Sequence, residues 1–274
     1  MQAIDQAAQV VPDGLVLDGA AAAPPAIEFV DVHKAFGENH VLDGLSMQIP
    51  EGKISMIMGP SGTGKSVCIN HMVGLMFPDS GDILIEGESV PEMTMPRLRD
   101  MRRHKFGVLF QDGALFSSMS LYDNVAFPLR QMTDMTDHQI KEIVMRRLSD
   151  VGLADSIDYH PSELSGGMRK RAGFARALVL DPHIVLFDEP DSGLDPVRCA
   201  LLCELIQEVH EHSGGTYVVV THDMLSARRI GEYLCILWQG KVVEQGTAED
   251  IFNSENEFVR QFLSGDAIGP LGMG

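Results

Sequence analysis

A glycine-rich stretch of the chain has the residue types and the spacing of a phosphate-binding loop. It fits the pattern G-x-x-x-x-G-K-[ST] and consists of Gly59, Pro60, Ser61, Gly62, Thr63, Gly64, Lys65 and Ser66. The glycines let the backbone curl so that successive N–H groups point at phosphate oxygens, and the N-terminus of the following helix adds partial positive charge. The pattern predicts a nucleotide site in which the Lys65 ammonium reaches the β- and γ-phosphates and the Ser66 hydroxyl ligates Mg²⁺.

An acidic pair further along the chain could supply the rest of the chemistry of phosphoryl transfer. Asp188 and Glu189 directly follow the apolar run 184–187. An isolated Asp-Glu pair is more often a solvated turn, but this pair comes after a predicted buried strand and downstream of a phosphate loop. In that arrangement the aspartate holds Mg²⁺ directly or through water. The glutamate is then placed to polarise a water molecule toward the γ-phosphate.

A second anion-binding device is predicted at residues 164–168. Ser165, Gly166 and Gly167 stand there at the start of a predicted helix that runs to about Leu180. A helix N-terminus with small residues presents its free backbone N–H groups to an anion. The chain therefore has two predicted phosphate cradles that lie far apart in the sequence.

Four candidate residues follow predicted strands of one parallel sheet. Gly59, Gln111, Asp188 and His222 each come after a short, mostly apolar run. In open α/β folds, ligand groups gather at the carboxyl ends of parallel strands. We therefore predict an α/β fold with a P-loop core, in which a parallel sheet brings these four residues to one edge.

Two further regions differ in pattern from this core. Residues 27–34 and 41–49 alternate between apolar and polar, which predicts an N-terminal antiparallel β-subdomain with Phe36 in the loop between the two strands. Residues 113–163 are predicted to form an inserted helical subdomain, because a capping-box signature at 136–139 precedes apolar residues at helical spacing. Those apolar residues are Ile140, Ile143, Val144, Leu148 and Val151.

The composition is that of an acidic globular protein. The 274 residues, with 45% hydrophobic and 22% charged residues, suffice for one large or two small domains. The formal net charge of −18 makes a nucleic-acid partner a poor prediction, since such binding depends on neutralising phosphates. The same charge would be repelled by an anionic membrane surface.

The cysteines and the chain ends carry no sign of export. The four cysteines form no C-x-x-C pair, so neither a zinc nor a disulfide framework is predicted, and the composition suits a reducing cytosol. No apolar run approaches the roughly 20 residues that a membrane helix needs. Residues 1–25 contain no Lys or Arg, which is unlike a signal peptide, and we predict that they are disordered. Residues 247–274 are predicted to form a C-terminal extension.

The motifs, taken in order, resemble those of the ATP-binding cassette (ABC) ATPases over about residues 26–246. The resemblance implies that Phe36 is the A-loop aromatic that stacks on adenine. It implies that Gln111 is the Q-loop residue that contacts Mg²⁺, and that His222 is the switch histidine, which contacts the γ-phosphate. The match of residues 164–168 to the family's signature separates the chain from other P-loop proteins.

The resemblance also implies an assembly. Two copies of an ABC ATPase dimerise head to tail, so that Ser165, Gly166 and Gly167 of one copy would cover the γ-phosphate held by the P-loop of the other. Residues 192–195 occupy the D-loop position between the acidic pair and the next helix. This arrangement would account for one chain having two phosphate cradles.

Three segments narrow the resemblance to the MCE/Mla lipid-transport branch, and within it to the actinobacterial Mce-associated ATPases. They are Phe110–Phe116, Asp123–Arg130 and Ser165–Arg171. Two departures from the general family stand out. Met168 takes the place of a usual Gln and cannot donate a hydrogen bond, so a ribose contact is not expected from it. Residues 191–195 read Asp-Ser-Gly-Leu-Asp where Thr-Ser-Ala-Leu-Asp is commoner.

The resemblance implies the ATP-hydrolysing subunit of a bacterial ABC transporter that moves lipids through an MCE/Mla-type system. Its cofactors would be ATP and Mg²⁺, and it would act as a homodimer on the cytoplasmic face of the inner membrane without inserting into it. An integral membrane permease would dock beside residues 112–130. An MCE-type lipid-binding protein would be a further partner in the same system.

Three alternatives remain open at this point. The subunit could power the transport of another cargo, such as an amino acid. It could be a soluble ABC-type ATPase, although that class usually carries two cassettes or long coiled-coil insertions. It could be a regulator that binds nucleotide without hydrolysing it, although such a protein is expected to lack Glu189 or His222.

Overall fold

The computed structural model describes residues 24–266 and 268–270, which form two β-sheets surrounded by helices. The strands are β1 (Ile27–Phe36), β2 (Asn39–Ile49), β3 (Ile54–Met58), β4 (Ser80–Ile85), β5 (Glu88–Ser89), β6 (Phe106–Leu109), β7 (Ile184–Asp188), β8 (Thr216–Thr221), β9 (Tyr233–Trp238) and β10 (Lys241–Thr247). The α-helices are α1 (Lys65–Met72), α2 (Met95–Lys105), α3 (Leu121–Met132), α4 (Asp137–Asp150), α5 (Gly166–Leu178), α6 (Pro196–Ser213), α7 (Met224–Ile230), α8 (Ala248–Phe252) and α9 (Glu257–Ser264). The disorder predicted for residues 1–25 falls almost entirely outside the described residues.

The larger sheet has the strand order β10-β9-β3-β8-β7-β6. Its strands run parallel except β10, which pairs antiparallel with β9. Every residue of β3 and of β8 is buried, as expected for central strands of a parallel sheet that is covered on both faces. This sheet is the predicted P-loop core, and its parallel strands end at one common edge.

The smaller sheet is antiparallel and has the strand order β2-β1-β4-β5. Ile27 and Phe29 of β1 are buried, as the alternating pattern predicts. Val32 is also buried, because a register shift between Phe29 and Val32 returns the buried face to an even-numbered residue. The prediction that Phe36 lies in a loop was wrong, because β1 runs through Phe36, which pairs with Asn39 across a tight turn. Gly37 at φ 64° makes that two-residue connection possible, so the ladder continues to the end of the hairpin.

The region 113–163 contains α3, α4 and two 3₁₀ turns at Ala154–Ser156 and Pro161–Glu163. The predicted capping box is confirmed, since Thr136 accepts from the backbone of Gln139 and the Gln139 side chain accepts from the backbone of Thr136. The apolar face of α4 is buried in the same core as α5. Local sequence signals therefore set both the start and the buried face of α4.

The C-terminal part of the described chain packs against the core. Helix α8 is capped by Thr247, and α9 ends at Gly265 in the left-handed conformation. The Phe258 ring of α9 lies 5.3 Å from the Trp238 ring of β9, measured between centroids. Ala267 and residues 271–274 of the predicted C-terminal extension lie outside the described residues. None of the helices that the structure describes is long and apolar enough to cross a bilayer.

A close backbone contact between β6 and α5 yields a stability prediction. A Cβ atom at Gly107 would lie 2.2 Å from the Ala177 carbonyl oxygen, so Gly107→Ala must push the strand and the helix apart. We expect this change to lower the free energy of unfolding by about 1–3 kcal/mol, as overpacking does. Chemical denaturation of the purified protein measures the difference.

Gly246→Ala is the matched control for this prediction. A Cβ at Gly246 in β10 meets its nearest neighbour at 3.7 Å, which is an ordinary contact, and Gly246 does not have a positive φ. The control is expected to leave the free energy of unfolding within about 1 kcal/mol of wild type. Equal effects of the two changes would contradict the close approach of β6 and α5.

Candidate active site

Four neighbouring strands end at one edge of the larger sheet and bring the predicted residues together. In the order β3-β8-β7-β6, Gly59 follows β3, His222 follows β8, Asp188 ends β7, and Gln111 lies two residues past β6. Because the four strands are parallel, all four residues lie at the same edge. The predicted placement of these residues is therefore observed.

The P-loop holds its lysine in a buried position. The Lys65 ammonium donates to the carbonyl oxygens of Gly59 and Pro60, both at 2.8 Å, and the residue is 5% exposed. Burial lowers the pKa of Lys65, while the nearby charges of Glu189 and Asp188 act in the opposite direction. A buried ammonium whose described hydrogen bonds go to carbonyl oxygens of its own loop is suited to exchange one of them for a phosphate oxygen.

The backbone of the P-loop has a shape that only glycine permits. Gly59 has φ 155°, and a Cβ there would lie 2.3 Å from the Leu237 carbonyl oxygen of β9. Gly64 forms the N-cap of α1 in the left-handed conformation and offers no side-chain acceptor to the first turn. The N–H groups at the start of α1 are therefore left to an anion, which fits a nucleotide phosphate.

Ser66 and Asp188 meet directly. The Ser66 hydroxyl donates to a carboxylate oxygen of Asp188 at 2.8 Å, although the two residues are far apart in the chain. Burial raises the pKa of Asp188, and the hydrogen bond from Ser66 partly opposes that shift. Two oxygen donors at one point, one of them a half-buried carboxylate, form the donor set that a hard divalent cation prefers.

Glu189 and His222 lie side by side next to this pair. His222 Nδ1 is 3.5 Å from a carboxylate oxygen of Glu189. The Glu189 backbone has φ 46°, a left-handed conformation that is rare for a residue with a side chain. Its N–H donates to the Val220 carbonyl of β8 at 2.9 Å, which helps to hold it there. A strained backbone at a candidate catalytic residue fixes where its carboxylate lies.

The Q-loop and the D-loop positions also contact one another. The Gln111 side-chain amide donates to the Ser192 hydroxyl at 3.2 Å. This contact brings the Q-loop and the D-loop together beside the Ser66–Asp188 and Glu189–His222 pairs.

The second predicted phosphate cradle is not part of this edge within one chain. Ser165 is the N-cap of α5, and its hydroxyl accepts from the backbone N–H of Met168 at 3.3 Å. No hydrogen bond described for Ser165, Gly166 or Gly167 reaches residues 59–66. Phe36 lies at the exposed end of β1, where the Lys34 ammonium is 5.8 Å from its ring centroid.

Three polar residues beneath the edge were not identified from the sequence. Lys170, Asp191 and Thr221 are all buried, and their hydrogen bonds converge on residues 189–192. Only the departure at Asp191 from the common family pattern pointed to one of them. Charged residues in polar segments are usually exposed, so the burial of Lys170 and Asp191 had no other signal in the sequence.

A parallel sheet whose strand ends carry a phosphate loop, an Asp-Glu pair, a glutamine and a histidine defines the class of P-loop ATPases. The sequence model of the family described as "ABC transporter" matches residues 42–192. The chain belongs to the ABC transporter family, and it is an ATP-binding, ATP-hydrolysing subunit of that family. The resemblance and the fold class predicted from the sequence are both confirmed.

Curated relatives cover most of the chain. It is 47% identical over 256 residues to the probable ribonucleotide transport ATP-binding protein mkl of Mycobacterium leprae, covering 93% of this chain and 74% of that protein. It is 41% identical over 245 residues to the intermembrane phospholipid transport system ATP-binding protein MlaF of Escherichia coli K12, covering 89% and 91%.

Solved structures of two cassettes have the same fold. One is the dimeric ATP-binding cassette MJ0796 in a post-hydrolysis state with ADP and Pi, with a TM-score of 0.75 and 31% identity, covering 81% of this chain and 98% of that one. The other is cbiO1 from Clostridium perfringens, part of the ABC transporter complex cbiONQ, with a TM-score of 0.77 and 28% identity, covering 87% and 94%.

Proposed function

We propose that this chain powers the transport of phospholipids through an MCE/Mla-type system. The observation that carries the proposal is the alignment with MlaF, which is 41% identical and spans 89% of this chain and 91% of that protein. The three branch segments identified in the sequence support the same assignment. The acidic chain would act at the cytoplasmic face of the inner membrane, bound to an integral membrane permease that works with an MCE-type lipid-binding protein.

In this proposal the strand-end residues divide the work of ATP hydrolysis. The N–H groups of residues 59–66 and the Lys65 ammonium bind the phosphates. Glu189 accepts a proton from the attacking water, and its fixed backbone sets the direction from which it does so. His222, 3.5 Å from Glu189, contacts the γ-phosphate and orients the carboxylate.

We propose Ser66, Asp188 and Gln111 as the groups that hold Mg²⁺. The hydrogen bond of 2.8 Å between Ser66 and Asp188 already brings two oxygen donors together, and Gln111 reaches the neighbouring Ser192. When bound, Mg²⁺ neutralises charge that develops on the phosphate oxygens. The positive charge of the cation would also offset the free-energy cost of burying the Asp188 carboxylate.

The active unit in this proposal is a homodimer with composite sites. Ser165, Gly166 and Gly167 form a helix N-terminus that makes no described contact with the P-loop of its own chain. A head-to-tail partner would place this cradle over the nucleotide, with the adenine stacked on Phe36. The dimeric state of the similar cassette MJ0796 supports this arrangement.

A second candidate cargo is a ribonucleotide, because the mkl relative at 47% identity is described as a probable ribonucleotide transport ATP-binding protein. The residues of this chain bind the energy source and not the cargo, so both cargoes are compatible with the same site. The partner proteins would make the difference.

Isolation of the intact complex distinguishes these cargoes. We expect affinity purification of the full chain from its native membranes to recover a permease and an MCE-type protein, with phospholipid in the organic extract. Mass spectrometry identifies the proteins, and lipid analysis identifies the bound cargo. Recovery of a permease with a nucleotide-binding partner and no phospholipid would favour the second candidate, while recovery of the chain without any membrane protein would favour a soluble ABC-type ATPase.

A further inference from the structure

Asp191 comes directly before the D-loop, and its side chain is buried. The residue is 7% exposed, and one carboxylate oxygen accepts a short hydrogen bond from the Thr221 hydroxyl. The other carboxylate oxygen is buried and has no hydrogen-bond partner among residues 24–266 and 268–270. Burial raises the pKa of Asp191, and the hydrogen bond from Thr221 opposes the shift. A buried carboxyl group with an unsatisfied oxygen is costly, so its position calls for a physical reason.

Thr221 links Asp191 to the loop that carries His222. It is the last residue of β8 and fully buried, and its hydroxyl donates to Asp191 while accepting from the Asp223 backbone N–H at 2.9 Å. The Thr221 hydroxyl therefore connects Asp191, just before the D-loop, with the backbone of Asp223, just after His222. His222 lies between Thr221 and Asp223, so its backbone is held from both sides.

Lys170 binds the backbone on either side of Asp191. It is 5% exposed and lies on α5, and its ammonium donates to the carbonyl oxygens of Pro190, at 2.7 Å, and of Ser192. These carbonyls come directly before and after Asp191. The Glu189 carbonyl is also within reach, at 3.5 Å. Burial lowers the pKa of Lys170, and the charge of Asp191 is the first of the acidic charges that oppose this.

Helix α5 is itself fixed to the Q-loop. The Arg176 guanidinium donates to the carbonyl oxygens of Gly113 and Ala114, both at 2.9 Å. A Cβ at Gly173 would lie 2.9 Å from the Gly113 Cα, so the helix and the Q-loop touch through their backbones. The helix that begins at the signature therefore contacts both the Q-loop and the segment 189–192.

The D-loop borders a cavity on its other face. A cavity of about 320 Å³ lies behind it, lined by Asp191, Leu194, Cys199 and His222 among other residues. Apolar contacts cannot position a loop on the side where it faces open space. The hydrogen bonds of Lys170, Asp191 and Thr221 add to those of Gln111 and of the loop backbone, and they tie the segment 189–192 to α5 and to the His222 loop.

We propose that Lys170, Asp191 and Thr221 are positioning residues that lock the segment 189–195 to α5 on one side and to the His222 loop on the other. Glu189 and His222 are thereby kept in one geometry while the D-loop faces a partner copy. The inference rests on the proposed roles of Glu189 and His222 in hydrolysis. It adds three residues that bind neither nucleotide nor metal and act only through those two.

Thr221→Val tests the lock with an almost isosteric change. The variant removes the hydroxyl that joins Asp191 to the His222 loop, and we expect kcat to fall by about 100-fold, as an ångström-scale displacement of catalytic groups does. The dissociation constant for a fluorescent ATP analogue should stay within about twofold of wild type, because the P-loop is not touched. Thr221→Ser keeps the hydroxyl and is expected to retain most of the wild-type kcat.

A double-mutant cycle makes the link itself measurable. Asp191→Ala should lower kcat as Thr221→Val does, and the double variant should be no slower than either single one, because both remove the same hydrogen bond. Asp191→Asn keeps an oxygen acceptor for Thr221 and should rescue kcat. Lys170→Met, which keeps the stem but removes the donor, should also lower kcat without weakening nucleotide binding.

Several outcomes would overturn the proposal. An unchanged kcat in Thr221→Val, losses that multiply in the double variant, or an Asn variant as slow as the Ala variant would each do so, as would a loss confined to nucleotide affinity. All rates are measured well below the melting temperature of each variant. Wild-type protein is assayed in the same series, because a wild type without ATPase activity contradicts the proposed function, whereas an active wild type with an equally active Thr221→Val contradicts only this inference.

Discussion

Glu189→Gln is expected to lower the kcat of ATP hydrolysis by about 100-fold or more, which is the usual contribution of a general base. Glutamine has nearly the same shape as glutamate but cannot accept the proton of the attacking water. The backbone of residue 189 at φ 46° and its hydrogen bond to Val220 do not depend on the carboxylate, so the loop should keep its structure. ATP should therefore still bind.

The same variant should accumulate ATP in a closed dimer. Size-exclusion chromatography with Mg-ATP is expected to show a dimer for Glu189→Gln and a mostly monomeric wild type after turnover. His222→Ala provides the comparison, since His222 contacts Glu189 and should also lose most activity. Normal hydrolysis by Glu189→Gln would rule out its role as the base.

Lys65→Ala is expected to weaken ATP binding by about 10- to 100-fold and to abolish measurable hydrolysis. A hydrogen bond to a charged group contributes about 1.5–3 kcal/mol, and the ammonium would make such bonds to the phosphates. The fold should survive, because the hydrogen bonds described for the Lys65 ammonium go to the carbonyls of Gly59 and Pro60 in its own loop. Titration with a fluorescent ATP analogue measures the affinity, and thermal unfolding checks the fold.

Lys65→Met is the matched control for the buried stem of the side chain. Methionine fills most of the volume of the lysine stem but has no charge, so it should bind ATP as poorly as the alanine variant while keeping more stability. Wild-type affinity in either variant would contradict the P-loop assignment.

A mixture of Lys65→Ala and Ser165→Arg chains tests whether the sites are composite. Each variant alone should be inactive, because one lacks the phosphate ligand and the other places a bulky cation in the signature cradle. Heterodimers would combine the intact P-loop of one chain with the intact signature of the other, and the mixture should regain a fraction of wild-type activity. No recovery in heterodimers shown to form would contradict the head-to-tail arrangement.

The elements of the fold were largely predictable, and the exceptions have local causes. The buried strands β3 and β8 are short and mostly apolar, and α4 has a capping box and a regular apolar stripe, so short-range patterns suffice for them. The end of β1 was placed two residues too early, because a two-residue hairpin turn let the ladder continue to Phe36. Pairing across a turn depends on the partner strand and is not visible in the pattern of one strand.

The sequence alone determined the chemistry of the candidate site, because a phosphate loop, an acidic pair and a glycine-rich helix start are each made of neighbouring residues. It also indicated the sheet edge at which Gly59, Asp188 and His222 meet, since parallel strands must end together. Only the tertiary structure decided that Ser66 contacts Asp188 and that Lys170 and Thr221 converge on the backbone around Asp191. Burial and hydrogen bonding between residues far apart in the chain depend on how helices and strands pack, and no local pattern of residues encodes that.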